Sequence, residues 1–188
     1  HYVSASKQFD LDYPYAIWFD SAQHTKRRGQ SEKQYEAGLQ SIGKFNSVQE
    51  FWRYWNAMDL ERMAQFCSLS VFRKSIKPMW EDEDNSGGGQ WLLKCTNHRR
   101  AADLFTKLTL SLIGGYFDCH DDLCGVVLTT KQKFSSIGLW MKKADPEVHE
   151  HLGGELRELL ASLSVKTDAD VTVEYKEHGG AAASSSIQ

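Results

Sequence analysis

The sequence predicts an α+β domain: a largely antiparallel sheet carrying its helices on one face. Short runs of aromatic and β-branched residues recur along the chain with short links between them, the pattern of neighbouring antiparallel strands. Three longer stretches place apolar residues at helical spacing. The 188 residues, 41% hydrophobic and 25% charged, fit one domain with a sizeable core.

The elements follow in order. "YPYAIWF" (13–19) predicts the first strand, and "GLQSIGKFN" (38–46) the second. Residues 20–34 between them are polar and basic and read as a long mobile loop. Ser47 to Glu50 has the S-x-x-E pattern, in which the serine caps a free amide while the glutamate reaches back, so a helix starts there and runs to about Met58. "LSVFRK" (69–74) and "GQWLLKC" (89–95) are strands, and 100–113 is a second helix. "GVVLTT" (125–130) and "SIGLWM" (136–141) form a hairpin with a basic tip. From Pro146 a third helix gathers Val148, Leu152, Leu156, Leu159, Leu160 and Leu163 on one face. Gly153 and Gly154 cost it about 1 kcal/mol each against alanine and invite a kink. "DVTVEY" (170–175) closes the sheet, giving a single domain over 1–176 and a low-complexity, mobile tail over 177–188. The chain begins at His1 rather than Met, as expected of a fragment or processed form.

Composition removes several classes of function. A net charge of −3 leaves no global positive field for non-specific nucleic-acid binding, so any such contact must be a local, shaped site. No run approaches the roughly 18 apolar residues of a membrane span, and no secretory signal is visible. The cysteines 67, 95, 119 and 124 show no paired spacing; Cys119-His120 with Cys124 lacks a second ligand pair, so reduced thiols and no metal are expected. Phosphate loops, nucleotide fingerprints and nucleophile elbows are missing, and no cofactor or catalysis is expected.

One stretch resists the bland reading. In "KPMWEDEDNSGGGQWLLK" (77–94), Trp80 stands beside Glu81 on an apparent loop. An aromatic gains little from burial there. The pair fits a ligand that needs a flat face and a carboxylate together. Asp82, Glu83 and Asp84 read as solvated charge. The first helix holds a second oddity: Phe51 and Trp55 define one face, while Val48 and Trp52 form an i, i+4 pair on another. Trp52 either widens the core face or forms an exposed patch for a partner.

"AIWF", "KFNSVQEFW", "PMWEDE…GGGQWLL", "SLIGGYFD…DDLCGVV" and "IGLW" occur in the order and near the spacing of the eukaryotic translation initiation factor 4E family. The resemblance covers about residues 9–176. It implies a curved antiparallel sheet with three helices on the convex face and, in the concave face, a slot for the 7-methylguanosine cap of messenger RNA. Methylated guanine carries delocalised positive charge that aromatic faces attract. A neighbouring carboxylate accepts from the N–H groups of the base edge. The resemblance thus implies Trp80 as a stacking ring, flanked by Met79, with Glu81 as the base reader. Tyr35 stands where the family usually carries the second, tryptophan ring; otherwise it is an ordinary loop aromatic. Trp140 matches the ring beside the methyl group; otherwise it is core. Lys131 and Lys133 match the phosphate-holding cations, a lysine replacing arginine at 131. Gln90 and Ser136 replace basic residues. Phosphate binding should be weaker and less salt-sensitive unless Lys26, Arg27 or Arg28 substitutes.

The resemblance also implies a helical partner motif docking on Val48, Trp52 and Leu110, which favours the exposed reading of Trp52. Phe9, Asp10 and Leu11 align with a short segment in which proline is usual at position 10. Thr106 stands where an apolar residue is usual and Lys107 where a glutamate is usual, a reversed charge that selects different partners. The expected role is cap binding in translation initiation or its regulation, in the cytoplasm. A cap-binding repressor and an adaptor with a weakened slot are the alternatives, and a cap-hydrolysing enzyme lacks a catalytic constellation.

Overall fold

The computed structural model describes residues 7–21, 36, 38–143, 145–163, 165 and 171–178. Residues 22–35, including Lys26, Arg27, Arg28 and Tyr35, and residues 179–188 lie outside the described residues. Seven strands form one curved open sheet: β1 Asp10–Asp20, β2 Gln40–Ser47, β3 Ser68–Arg73, β4 Gly89–Cys95, β5 Leu123–Thr130, β6 Ser135–Met141 and β7 Val171–Glu177. Their spatial order is β2-β1-β3-β5-β6-β4-β7, and every neighbouring pair is antiparallel. Among the described residues, three helices of eight residues or more accompany the sheet: α1 Val48–Trp55, α2 His98–Ile113 and α3 Pro146–Ser162. Among the described residues no helix is long and apolar enough to cross a membrane.

Strand alternation divides the molecule into two faces. Tyr15, Ile17, Leu69, Val71, Trp91, Leu93, Val126, Leu128, Ile137 and Leu139 point to one side and bury against the helices. The intervening residues Asp20, Ser68, Ser70, Gln90, Leu92, Val127, Thr129, Ser136, Gly138 and Trp140 line a cavity on the other side. One register therefore supplies both a helix-backed core and a partly polar slot.

The helix boundaries differ slightly from expectation, for local reasons. Ser47 Oγ accepts from Glu50 N, as the capping pattern requires, but the Glu50 carboxylate reaches the amide of Asn46 instead of Ser47. The helix ends at Trp55, and Ala57 N and Met58 N close shorter turns on Tyr54 O and Trp55 O. α2 starts at His98, two residues before the sequence places it, because the Asn97 side chain caps Arg100 N. α3 runs unbroken through both glycines. A Cβ on Gly153 would lie 2.4 Å from the Trp91 ring, so the glycine allows close approach of helix and sheet. β7 continues to Glu177, and His178 packs beside Trp140.

Candidate functional site

The cavity on this second face of the sheet has a volume of about 340 Å³ and is lined by Met79, Trp80, Glu81, Lys131 and Trp140 together with the strand residues named above. That is the lower range for a small-molecule site. Trp80 is 46% exposed, whereas Met79 beside it is buried. The loop therefore uses Met79 as its anchor and presents the ring of Trp80 to the slot.

Buried hydrogen bonds hold this loop in shape. Asn85 has no exposed surface, and its Nδ2 donates to Lys77 O at 2.7 Å and Met79 O at 2.8 Å, on either side of Pro78. Asp82 is not merely a solvated acid. Its carboxylate accepts from Lys77 N at 2.9 Å and from Asp84 N at 3.1 Å, closing the turn that carries Trp80 and Glu81. Asp84 pairs with Lys142 at 3.4 Å. Only Glu83 of the three is left to the solvated reading. Lys77 also pairs with Glu36, joining that residue to the Trp80 loop. The hydrogen bond and charge of Glu36 hold the Lys77 ammonium above its ordinary pKa.

Trp140 is buried at its back and lines the slot at its front. Phe72 meets it edge-on at 5.4 Å, and the His178 ring lies 4.1 Å away, centre to centre. His178 Nδ1 contacts Asn85 O at 3.0 Å, which makes Nδ1 the donor and Nε2 the unprotonated nitrogen. Burial lowers the His178 pKa below its ordinary value of 6.5. Asn85 and His178 thus connect both tryptophans of the slot. Neither had a local sequence signal, because their partners lie several to more than ninety residues away.

Among the described residues, one lysine lines the slot. Lys131 lines the slot; its backbone N–H closes the hairpin turn on Phe134 O, and its ammonium lies 5.1 Å from the Phe134 ring centre. Lys133 is exposed at the same turn and does not line the cavity. Gln90 and Ser136, the two neutral residues that the resemblance marked as replacing basic ones, both face the slot.

On the opposite face, Phe51 and Trp55 are buried while Val48 and Trp52 are 37% and 38% exposed. Phe9, 54% exposed, is held beside this helix: Phe9 O accepts from Val48 N, and the Gln49 side chain accepts from Phe9 N while donating to Lys7 O. Asp10 pairs with Ser47 in the sheet, and Leu11 packs partly into the core. Trp55 stacks on Phe105 and so sets α1 beside α2. Leu110 is partly buried, Thr106 donates to Ala102 O at 3.0 Å, and Lys107 is exposed.

All four cysteines are free, and burial raises the thiols of Cys119 and Cys124 to about 11 and about 12. His120 meets Tyr15 Oη at 3.2 Å.

A curved antiparallel sheet with a helix-packed face and an aromatic, acid-bearing slot on the other is a ligand-binding architecture. A family model for eukaryotic initiation factor 4E matches residues 10–188. Eukaryotic translation initiation factor 4E of Xenopus laevis is 32% identical over 181 residues, spanning 93% of this chain and 79% of that protein. Its Bos taurus counterpart is 31% identical over 191 residues, with 98% and 81% spanned. Among solved structures, Ascaris suum eIF4E-3 with m7G cap has a TM-score of 0.77 at 26% identity, over 93% of this chain and 94% of that one. Caenorhabditis elegans eIF4E-3 with the 4E-binding protein Mextli and a cap analog has a TM-score of 0.77 at 26% identity, over 92% and 94%. The chain belongs to the eukaryotic initiation factor 4E family.

Proposed function

We propose that this protein binds the 7-methylguanosine cap of messenger RNA and serves translation initiation or its regulation in the cytoplasm. Its family consists of cap-binding factors, not enzymes. The observation that carries the reading is the pairing of a half-exposed Trp80 with Glu81 in one slot, on a loop fixed by Asn85 and Asp82. Trp80 stacks on the cationic base and Glu81 accepts from its edge. Tyr35, beside the anchored Glu36, supplies the opposite ring, and Trp140 contacts the methyl group. Lys131 and Lys133 hold the phosphates. With Gln90 and Ser136 neutral, base stacking and edge reading carry more of the affinity than charge does.

The second half of the proposal concerns the helix side. Val48 and Trp52, with Phe9–Leu11 alongside and Thr106, Lys107 and Leu110 on α2, receive a helical segment of a scaffold or repressor. Two exposed apolar side chains one turn apart support it, as does the complex of C. elegans eIF4E-3 with a 4E-binding protein. The experiment is a tryptophan-fluorescence titration with 7-methyl-GTP on three variants. Trp80→Ala is expected to lose about 1–3 kcal/mol of binding, and Glu81→Gln several-fold in affinity as a charge-assisted contact becomes neutral. Trp52→Ala keeps its cap affinity while losing helical partners. Unchanged affinity in both slot variants would place the ligand elsewhere.

A further inference from the structure

We propose a divalent metal site formed by Asp118, His151 and Glu155, on the helix side of the molecule and independent of the slot. Asp118 lies more than thirty residues before the His151–Glu155 pair, yet the ligand atoms of all three lie within 4.8 Å of one another. His151 and Glu155 stand one turn apart on α3. Asp118 follows the buried Phe117 in the turn between α2 and β5. His151 Nε2 is 3.2 Å from Asp118 Oδ2 and 3.9 Å from Glu155 Oε2. Ligands in a tetrahedral zinc shell stand about 3.4 Å apart, from metal–ligand distances of about 2.0–2.2 Å. Bringing separations of up to 4.8 Å onto that shell needs shifts of no more than about 1.4 Å.

The second observation is the state of Glu155. Its Oε1 accepts from Asp118 N at 2.9 Å, while its Oε2 is buried with no hydrogen-bond partner. A buried carboxylate oxygen left in that condition is costly. A protonated His151 bridging the two acids does not relieve it, since 3.9 Å exceeds hydrogen-bond reach. A cation held by all three groups does. One imidazole nitrogen and two carboxylate oxygens favour a borderline ion of the zinc class, with the remaining position open to solvent. The bound ion ties α3 to the turn leading into β5.

The test is calorimetric titration of the chelator-treated full chain with Zn²⁺, with melting followed with and without the ion. Cys119, next to Asp118, is the competing ligand to exclude. One-to-one saturable binding and a raised Tm are expected, with His151→Ala and Glu155→Gln each weakening binding about tenfold or more. Cys119→Ser should leave it unchanged. With Co²⁺ on the unmutated chain, the absorption spectrum should show nitrogen and oxygen ligation without a thiolate charge-transfer band, a readout that depends on no variant folding. Non-saturable binding, affinity in either ligand variant equal to that of the unmutated chain, or a thiolate band that disappears in Cys119→Ser overturns the site.

Discussion

Asn85 joins the carbonyls of Lys77 and Met79 through one amide, and its own carbonyl accepts from His178. Asn85→Ala leaves both of those carbonyls without this donor, and the expected loss is about 1–3 kcal/mol of stability in urea denaturation. Affinity for 7-methyl-GTP should fall as well, although Asn85 does not line the cavity, because Trp80 and Glu81 ride on the loop it braces. A variant with unchanged stability and affinity would show that the loop holds without it. The sequence made Trp80 and Glu81 legible because their adjacency is local and chemically odd. It hid Asn85 and His178 because their roles come from tertiary contacts, and it misread Asp82 because a carboxylate that caps backbone amides looks, in sequence, like any solvated acid.

Helix α3 carries two adjacent glycines with opposite environments. Gly153 lies against Trp91, whose Nε1 donates to His149 O at 3.2 Å and whose ring Arg157 approaches at 5.2 Å. A Cβ on Gly154 meets nothing within 4 Å. Gly153→Ala should therefore destabilise by about 1–3 kcal/mol through overpacking, while Gly154→Ala should stabilise by roughly 0.5–1 kcal/mol through helix propensity. Thermal melts of the two variants check it, and shifts of the same sign would contradict the packing described. From sequence both glycines look like equal costs and a kink, since propensity knows nothing of the tryptophan opposite. The β5–β6 hairpin was legible to within a couple of residues because alternation and a polar tip are local signals. The exact end of α1 was not, because Trp55 and Met58 share an apolar face whether the last turn is α or tighter.

Across the whole molecule, one alternating register separates a helix-backed core from the slot, which sets the proposed cap site and the proposed partner surface on opposite faces. The fold class followed from periodicity. The strand order, which places β4 between β6 and β7, did not, because pairing between distant strands leaves no local mark. Stability should also depend on pH. Burial lowers the pKa of His120, His149 and His178 below 6.5, with the Arg73 charge adding to the effect at His120. In the window between those lowered values and 6.5 the unfolded chain binds more protons, so stability rises with pH there. The contribution is complete above 6.5 and is lost as pH falls through the window. Tm should drop between pH 7.5 and pH 5.5 (about the span in which histidine titrates), and His178→Gln should make that drop smaller. Histidine NMR titrations with midpoints at or above 6.5 would oppose it.

The central claim is that the slot reads a methylated, cationic guanine. The most direct measurement is the ratio of affinities of the unmutated protein for 7-methyl-GTP and GTP, taken at two salt concentrations. Stacking on a cation predicts a strong preference for the methylated nucleotide, and because both nucleotides carry the same triphosphate, screening of the phosphates cancels in the ratio and the preference survives added salt. Equal affinities for the two nucleotides, or a preference that vanishes with salt, would contradict the account.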